Sequence, residues 1–316
     1  MDPDTATSRP PGRGHPVVAG VDGSPASLQA ARYAALLARE RGSRLELVCG
    51  YQSPLYGFAQ PWLGQDFLDA DQQAVQDAAE QALASAAAEL RAACPELDVV
   101  TRLRVGGGAY VLIEESRRAA LVVVGARGAG GFARLLLGSV SAQVAAHAHA
   151  SVVVTRPDTS GADPADAAAA FPAQQLAGPV LVGYDGSDTA QAALGFAASE
   201  ALLRRARLVM VNVHWQEPWG FGPKPVTDPE QLARADAEQM LAEAIAPWRA
   251  RHAELDVELR PVHSLNAERS MIEQSGTAAL TVVGCRGRGG FTGKLLGSVS
   301  HALVEHGHGP VAVVHR

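Results

Sequence analysis

Two stretches of the chain hold glycine, serine and arginine at a spacing that suits a phosphate. The first runs Gly125-Ala126-Arg127-Gly128, then nine residues, then Gly138-Ser139-Val140-Ser141. The second, Gly284-Cys285-Arg286-Gly287, has the same nine-residue gap before Gly297-Ser298-Val299-Ser300. Glycine removes a side chain where a backbone must turn tightly and approach a ligand. Beyond the gap a helical pattern opens, Val140 to Ala148 in the first copy, and a helix start presents unpaired N–H groups with partial positive charge. Arg127 and Arg134 gather at the first loop, and Arg286, Arg288 and Lys294 at the second, in a chain whose formal net charge is -6. Such a cluster suits a bound anion, with solvated surface charge as the alternative for any single arginine. Two aspartates, Asp22 and Asp185, stand after apolar runs in both halves. Each would either touch the ligand or hold turn amides such as those of Gly23 and Ser24.

The elements that must carry these residues repeat as well. Val17 to Val21 and Val180 to Tyr184 read as buried strands, each followed by a turn and a helix cap, Ser24 with Pro25 in the first copy and Ser187 in the second. Leu28, Ala31 and Ala35, then Leu194, Ala197 and Ala201, recur at helical spacing. Second strands follow at Leu45 to Cys49 and Leu208 to Val213, and the intervening helix makes them parallel to the first. Next come aromatic-rich stretches, about residues 51–68 and 215–227, expected to cover an apolar patch or a partner subunit, or to stack on a base. Long helices are expected over Asp69 to Ala93 and Pro229 to His252, the second with Asp228 and Gln231 as a capping box. Strands at Val99 to Val105 and Val257 to Val262 precede a further helix. The turn between them reads Gly106-Gly107-Gly108 in one copy and Leu265-Asn266-Ala267 in the other, so it must differ. Apolar runs Leu121 to Val124 and Ala279 to Val283 then feed the glycine loops, and Ser151 to Thr155 and Pro310 to His315 make a fifth strand per half. The offset between copies falls from 163 at Asp22/Asp185 to 159 at Gly125/Gly284, a loss of four residues in the second.

Composition narrows the rest. A chain of 316 residues is long enough for two cores. The expected organisation is a loose tail over residues 1–15, a domain over 16–156, an Ala-, Pro- and Asp-rich linker over 157–178 and a second domain over 179–316. Three cysteines, Cys49, Cys94 and Cys285, without a CxxC pair argue against disulfides or structural zinc, so a cytoplasmic location is expected. No apolar stretch is long enough to span a bilayer, and a pI near 5.9 disfavours general binding to nucleic acid or anionic membrane. His147/His149 and His306/His308 repeat, but residues two apart near a helix end point to different sides, so no metal is expected there.

The doubled Gly-x2-Gly-x9-Gly-Ser pattern resembles the ATP-binding motif of the universal stress protein family, and the resemblance covers nearly the whole chain twice. It implies an α/β fold: two tandem, open, five-stranded parallel-sheet domains of Rossmann-like, universal stress protein type. It further implies an ATP-binding stress-response regulator with one nucleotide per domain. For the first site it implies Gly20, Asp22, Gly50, Val124, Gly125, Arg127, Gly128, Gly138, Ser139, Val140 and Ser141. For the second it implies Gly183, Asp185, His214, Val283, Gly284, Arg286, Gly287, Gly297, Ser298, Val299 and Ser300. His214 is taken to stand where the first copy has Gly50, a departure that would crowd or polarise the base pocket. Magnesium would arrive with the nucleotide, since one carboxylate per site makes no protein cage. The resemblance also implies the fifth strand as a dimer contact, used here within the chain, which leaves the aromatic stretches for a homodimer; a regulatory protein partner is expected but not identified. No residue presents itself as a base for hydrolysis. An ATP hydrolase or transferase with a second substrate, and a nucleotide-free scaffold, stay open as alternatives.

Overall fold

The computed structural model describes residues 14–52, 65–128, 136–156, 176–215, 229–287 and 296–316. The tail, most of the aromatic stretches and of the linker, Asp228, Arg134, Arg288 and Lys294 lie outside them. The chain divides into two compact units, Arg13–Ala173 and Gln174–Arg316.

The first unit runs β1 (Val17–Gly20), α1 (Pro25–Arg41), β2 (Leu45–Tyr51), α2 (Gln65–Ala93), β3 (Val99–Val105), α3 (Gly108–Ser116), β4 (Leu121–Gly125), α4 (Ser139–His147) and β5 (Val152–Thr155). The second repeats it as β6 (Val180–Gly183), α5 (Asp188–Arg204), β7 (Leu208–His214), α6 (Pro229–Arg251), β8 (Val257–His263), α7 (Ala267–Ser275), β9 (Leu280–Gly284), α8 (Ser298–His306) and β10 (Val311–Val314). Strand order is β3-β2-β1-β4-β5 in the first unit and β8-β7-β6-β9-β10 in the second, with the neighbours in each parallel. Each unit is thus the open five-stranded parallel sheet expected.

The local reasons are legible. Central strands β1, β4, β6 and β9 are valine- and leucine-rich and buried on both faces, as parallel strands under helices must be. Ala30, Ala31, Ala34, Ala35 and Ala38 let α1 lie close on β1 and β4, each fully buried. Ser24 caps α1 by accepting from Ser27 N–H at 3.1 Å, and Ser187 caps α5 through Ala190 N–H at 3.2 Å. α1 ends on Gly42 at φ 59; α5 ends on Arg205 at φ 50, a left-handed conformation that costs a residue with a Cβ roughly 1–2 kcal/mol. Pro261 is tolerated in β8 because that strand ends the sheet.

Register corrects one expected equivalence. β2 and β7 both span seven residues, so Leu45 matches Leu208, Gly50 matches Val213, and the counterpart of His214 is Tyr51 rather than Gly50. Pairing agrees: Tyr51 faces Val105 as His214 faces His263. Gly106 N–H donates to Tyr51 O at 2.8 Å, and Ser264 N–H to His214 O at 3.0 Å. β2 runs two residues past its apolar pattern and β7 one past its own, and that inequality hid the match. The net loss of four residues also resolves into two events. Offsets read from the elements are 163 at β2/β7, 158 at β3/β8 and 159 at α3/α7. Five residues are therefore lost between β7 and β8, where α6 is six residues shorter than α2, and one is gained in the turn between β8 and α7. Gly50 needs its glycine, because a Cβ there would lie 2.9 Å from Gly106 O and 3.0 Å from Gly108 Cα. Val213 occurs where that turn is longer.

Glu46 in β2 is fully buried and meets Arg102 at 2.6 Å, Arg118 at 2.6 Å and Arg44 at 2.9 Å. Burial alone would raise its carboxyl, but the hydrogen bonds from Arg102 and Arg118 more than reverse this and hold it at about 2, down from 4.5. The stabilisation is therefore complete above the unfolded value and drains away as pH falls from 4.5 towards 2. Its counterpart Val209 brings no such charge. In Glu46→Gln the loss of stability of the first unit between about pH 5 and pH 3 is expected to be shallower than in the wild type, as read by urea denaturation at each pH.

Candidate functional site

In an open parallel sheet a ligand sits beyond the carboxyl ends of the strands, where the connections diverge to the two sides. Each unit has a cavity there. The one in the first unit measures about 380 Å³ and the one in the second about 830 Å³.

All the residues expected in the first site line its cavity. Gly20 and Asp22 come from the end of β1, Gly50 from β2, and Val124 and Gly125 from β4. Arg127 and Gly128 come from the loop, and Gly138, Ser139, Val140 and Ser141 from the start of α4. The second cavity collects Gly183, Asp185, His214, Val283, Gly284, Arg286, Gly287, Gly297, Ser298, Val299 and Ser300 in the same way. Sequence reasoning passed over several other lining residues: Leu112 and Gly108 of α3 in the first site, and Asn212, Asp236, Met240 and Met271 in the second. A long helix approaching the site from across the sheet leaves no spacing signal that would single out Asp236 or Met240.

The aspartates hold their turns and also face the loops. Asp22 Oδ1 accepts from Ser24 N–H at 3.0 Å, and Asp185 Oδ1 from Ser187 N–H at 2.9 Å. The second oxygen faces the loop: a Cβ built on Gly128 would lie 2.4 Å from Asp22 Oδ2, and one on Gly287 2.6 Å from Asp185 Oδ2. Gly125 and Gly284 line the cavities and also make room for a neighbouring helix. A Cβ on Gly125 would stand 2.7 Å from Ala26 O, and one on Gly284 2.7 Å from the Thr189 carbonyl carbon, so the first turn of α1 or α5 occupies that space.

The loop is closed onto the helix by the protein's own bonds. Gly138 N–H donates to Ala126 O at 2.7 Å and Gly297 N–H to Cys285 O at 2.8 Å. Ser141 Oγ donates to Gly125 O and Ser300 Oγ to Gly284 O, each at 2.6 Å, so these hydroxyls brace the strand end. The first helical bond in α4 runs from Ala142 N–H to Gly138 O. The amides of Ser139, Val140 and Ser141 therefore have no partner within the helix and open towards the cavity, as do those of Ser298, Val299 and Ser300 in α8. A carboxylate, an arginine and a helix N-terminus around a strand-end cavity can bind an anion whose body extends along the strand ends.

The copies are not identical. Glu268 in the first turn of α7 accepts from the Ser298 side chain, and this bond holds its carboxyl below the ordinary range; Ala109 stands at the matching place in α3. The repeated histidines are taken up locally. His147 Nδ1 lies 2.9 Å from Gln143 O, while the backbone amides of His149 and His308 donate to Ser116 Oγ at 2.8 Å and Ser275 Oγ at 2.9 Å. Among the described residues no three His, Cys, Asp or Glu side chains gather as metal ligands, and no helix is long and apolar enough to cross a membrane.

Comparison with known proteins gives a consistent result. The universal stress protein family profile matches residues 14–156 and again 177–315. A universal stress protein of Mycolicibacterium smegmatis is 37% identical over 218 residues, 69% of each chain. One from Mycobacterium tuberculosis is 33% identical over 302 residues, covering 94% of this chain and 95% of its own. Among solved structures, a universal stress protein of Archaeoglobus fulgidus superposes with a TM-score of 0.67 at 19% identity, covering 96% of this chain and 97% of that one, a likeness of fold.

Proposed function

Because the chain belongs to the universal stress protein family, with a match to its domain in each half, we propose that it is a stress-response regulator that holds one ATP in each unit and acts through its nucleotide state. The observation that carries this reading is the duplication of one geometry. Two strand-end cavities each bring together a glycine loop, an arginine, an aspartate and the amides at the start of a helix. A triphosphate uses all of these at once: its charge suits the helix N-terminus and the guanidinium, and its base extends over the ends of the neighbouring strands. Any magnesium would come in with the phosphates, beside Asp22 or Asp185. A homodimer, and a protein partner that reads the bound state, belong to the same reading.

Calorimetric titration tests it. Two ATP are expected to bind per chain, with AMP much weaker, since the outer phosphates engage the cradle. A fit to a single site, or equal affinity for adenosine, would overturn the proposal.

A further inference from the structure

The second cavity is more than twice the size of the first, and the added room has its own walls. Asp185, the glycine loop and the start of α8 repeat the first site, and Ala267 and Met271 of α7 repeat Gly108 and Leu112 of α3. What has no equivalent is a compartment between the end of β7 and α6. Asp236, Ala237 and Met240 of α6 line it, whereas no described residue of α2 lines the first cavity. Register shows what changed. α2 and α6 end at Ala93 and Arg251, an offset of 158, and the buried pairs Ala79/Ala237 and Leu83/Leu241 agree with it. Asp236 therefore stands where α2 has Ala78, and Met240 where it has Ala82. On the strand, Asn212 stands where β2 has Cys49.

Asn212 is only 6% exposed. Its Nδ2 donates to Tyr184 O at 2.8 Å and lies 4.0 Å from Met240 Sδ, which fixes the amide and sets it against α6. Its Oδ1 accepts no hydrogen bond among the described residues. That oxygen is also not one of the side-chain atoms shut off from solvent, so it is reached from the cavity that Asn212 lines. An acceptor held in so buried a side chain is completed by whatever fills the cavity. Asp236 lies four residues before Met240, one helical turn away on the same face. α6 starts at the strand ends, so Asp236 stands nearer the mouth, where it is exposed. It makes no hydrogen bond or ion pair among the described residues, while the neighbouring Arg234 pairs with Glu238 at 3.0 Å. Trp215 lines the cavity beside them.

Two acceptors, one of them charged, suit a ligand end that is positive and rich in N–H donors. The carboxylate attracts such a group and the amide oxygen takes a second N–H. The indole of Trp215 and the thioether of Met240 suit its charge and its alkyl stem. We propose that the compartment between β7 and α6 binds a small organic cation, an amine or guanidinium compound, held by Asp236 and by Oδ1 of Asn212, and that the first unit has no such site. This does not rest on the nucleotide reading and adds a ligand to it.

The test uses the full chain without nucleotide, titrated with n-butylammonium chloride and, as the uncharged match, n-butanol, at constant ionic strength. The readout is the 15N–1H indole signal of Trp215, assigned as the one that disappears in Trp215→Phe. The amine is expected to shift it saturably, at a concentration about three- to tenfold below that of the alcohol, the worth of one charge-assisted contact in an open site. Asp236→Ala, which installs the residue of the first unit, is expected to remove that advantage. Asn212→Cys, again the residue of the first unit, is expected to weaken the amine further than the alcohol. An amine that gives no saturable shift, an alcohol that does as well, or an Asp236→Ala chain with unchanged preference would overturn the proposal. None of these outcomes touches the nucleotide reading, since no nucleotide is present. If Asn212→Cys does not fold, the exposed Asp236 still decides.

Discussion

In Gly128→Trp the chain is expected to bind one ATP instead of two, with the second site untouched. The first atom of any side chain at position 128 would fall 2.4 Å from Asp22 Oδ2. Asp22 has little room to give way, because its other oxygen is bonded to Ser24 N–H at 3.0 Å, and that turn is held by Ser27 N–H on Ser24 Oγ at 3.1 Å. An indole must therefore swing into a cavity of only about 380 Å³. Losing two charge-assisted hydrogen bonds to phosphate costs roughly 3–6 kcal/mol, a hundredfold or more in affinity, which removes micromolar binding. Gly287 and its aspartate belong to the other unit and are unaffected. Calorimetry with circular dichroism as the folding control decides: two sites in a correctly folded variant would count against the assignment of this loop.

A substitution three residues earlier is expected to fail differently. Gly125→Val should destabilise the first unit by roughly 1–3 kcal/mol or more, before any ligand is considered. The obstacle is backbone: Ala26 O at 2.7 Å and Ala26 C at 2.8 Å from the new Cβ, in a helix turn fixed by the Ser24 cap and Pro25. No rotamer relieves that. β4 is interior to its sheet, between β1 and β5, so it cannot shift outward either. Urea denaturation is expected to show an earlier transition for the first unit with the second unchanged, and Gly284→Val the reverse. Wild-type stability with nucleotide binding lost would show that this glycine makes room for the ligand and not for α1.

The contrast between Gly125 and Gly128 marks what the chain's letters disclose. Spacing located both, and the apolar run before them placed both at the end of a strand, because strand, turn and helix start each leave a local signature. Which atom fills the space of the missing Cβ depends on a helix about a hundred residues earlier, and no local pattern carries that. The mismatch of His214 with Gly50 has the same origin. The apolar pattern stops at Cys49 in one copy and at Val213 in the other, whereas the ladder continues through Tyr51 and His214, held by the neighbouring strand. The lost and gained residues partly cancel in the offset between the copies, so counting alone hid the longer turn. Glu46 was invisible because its partners Arg44, Arg102 and Arg118 come together only when β2, β3 and the segment after α3 are assembled. The caps at Ser24 and Ser187 were plain, since a cap is decided within four residues.

The bond between Glu268 and Ser298, with nothing like it at Ala109, bears on how such a chain can change over time. When two identical subunits supply a pair of sites, every substitution lands in both, and the pair stays symmetric. Duplication within one chain lifts that restriction. A carboxylate can appear beside one helix start and an imidazole at one strand end while the other copy keeps its alanine and its tyrosine. On the reading of one ligand per unit, the two half-filled forms of the molecule are chemically distinct species, each with its own population at a given ligand concentration.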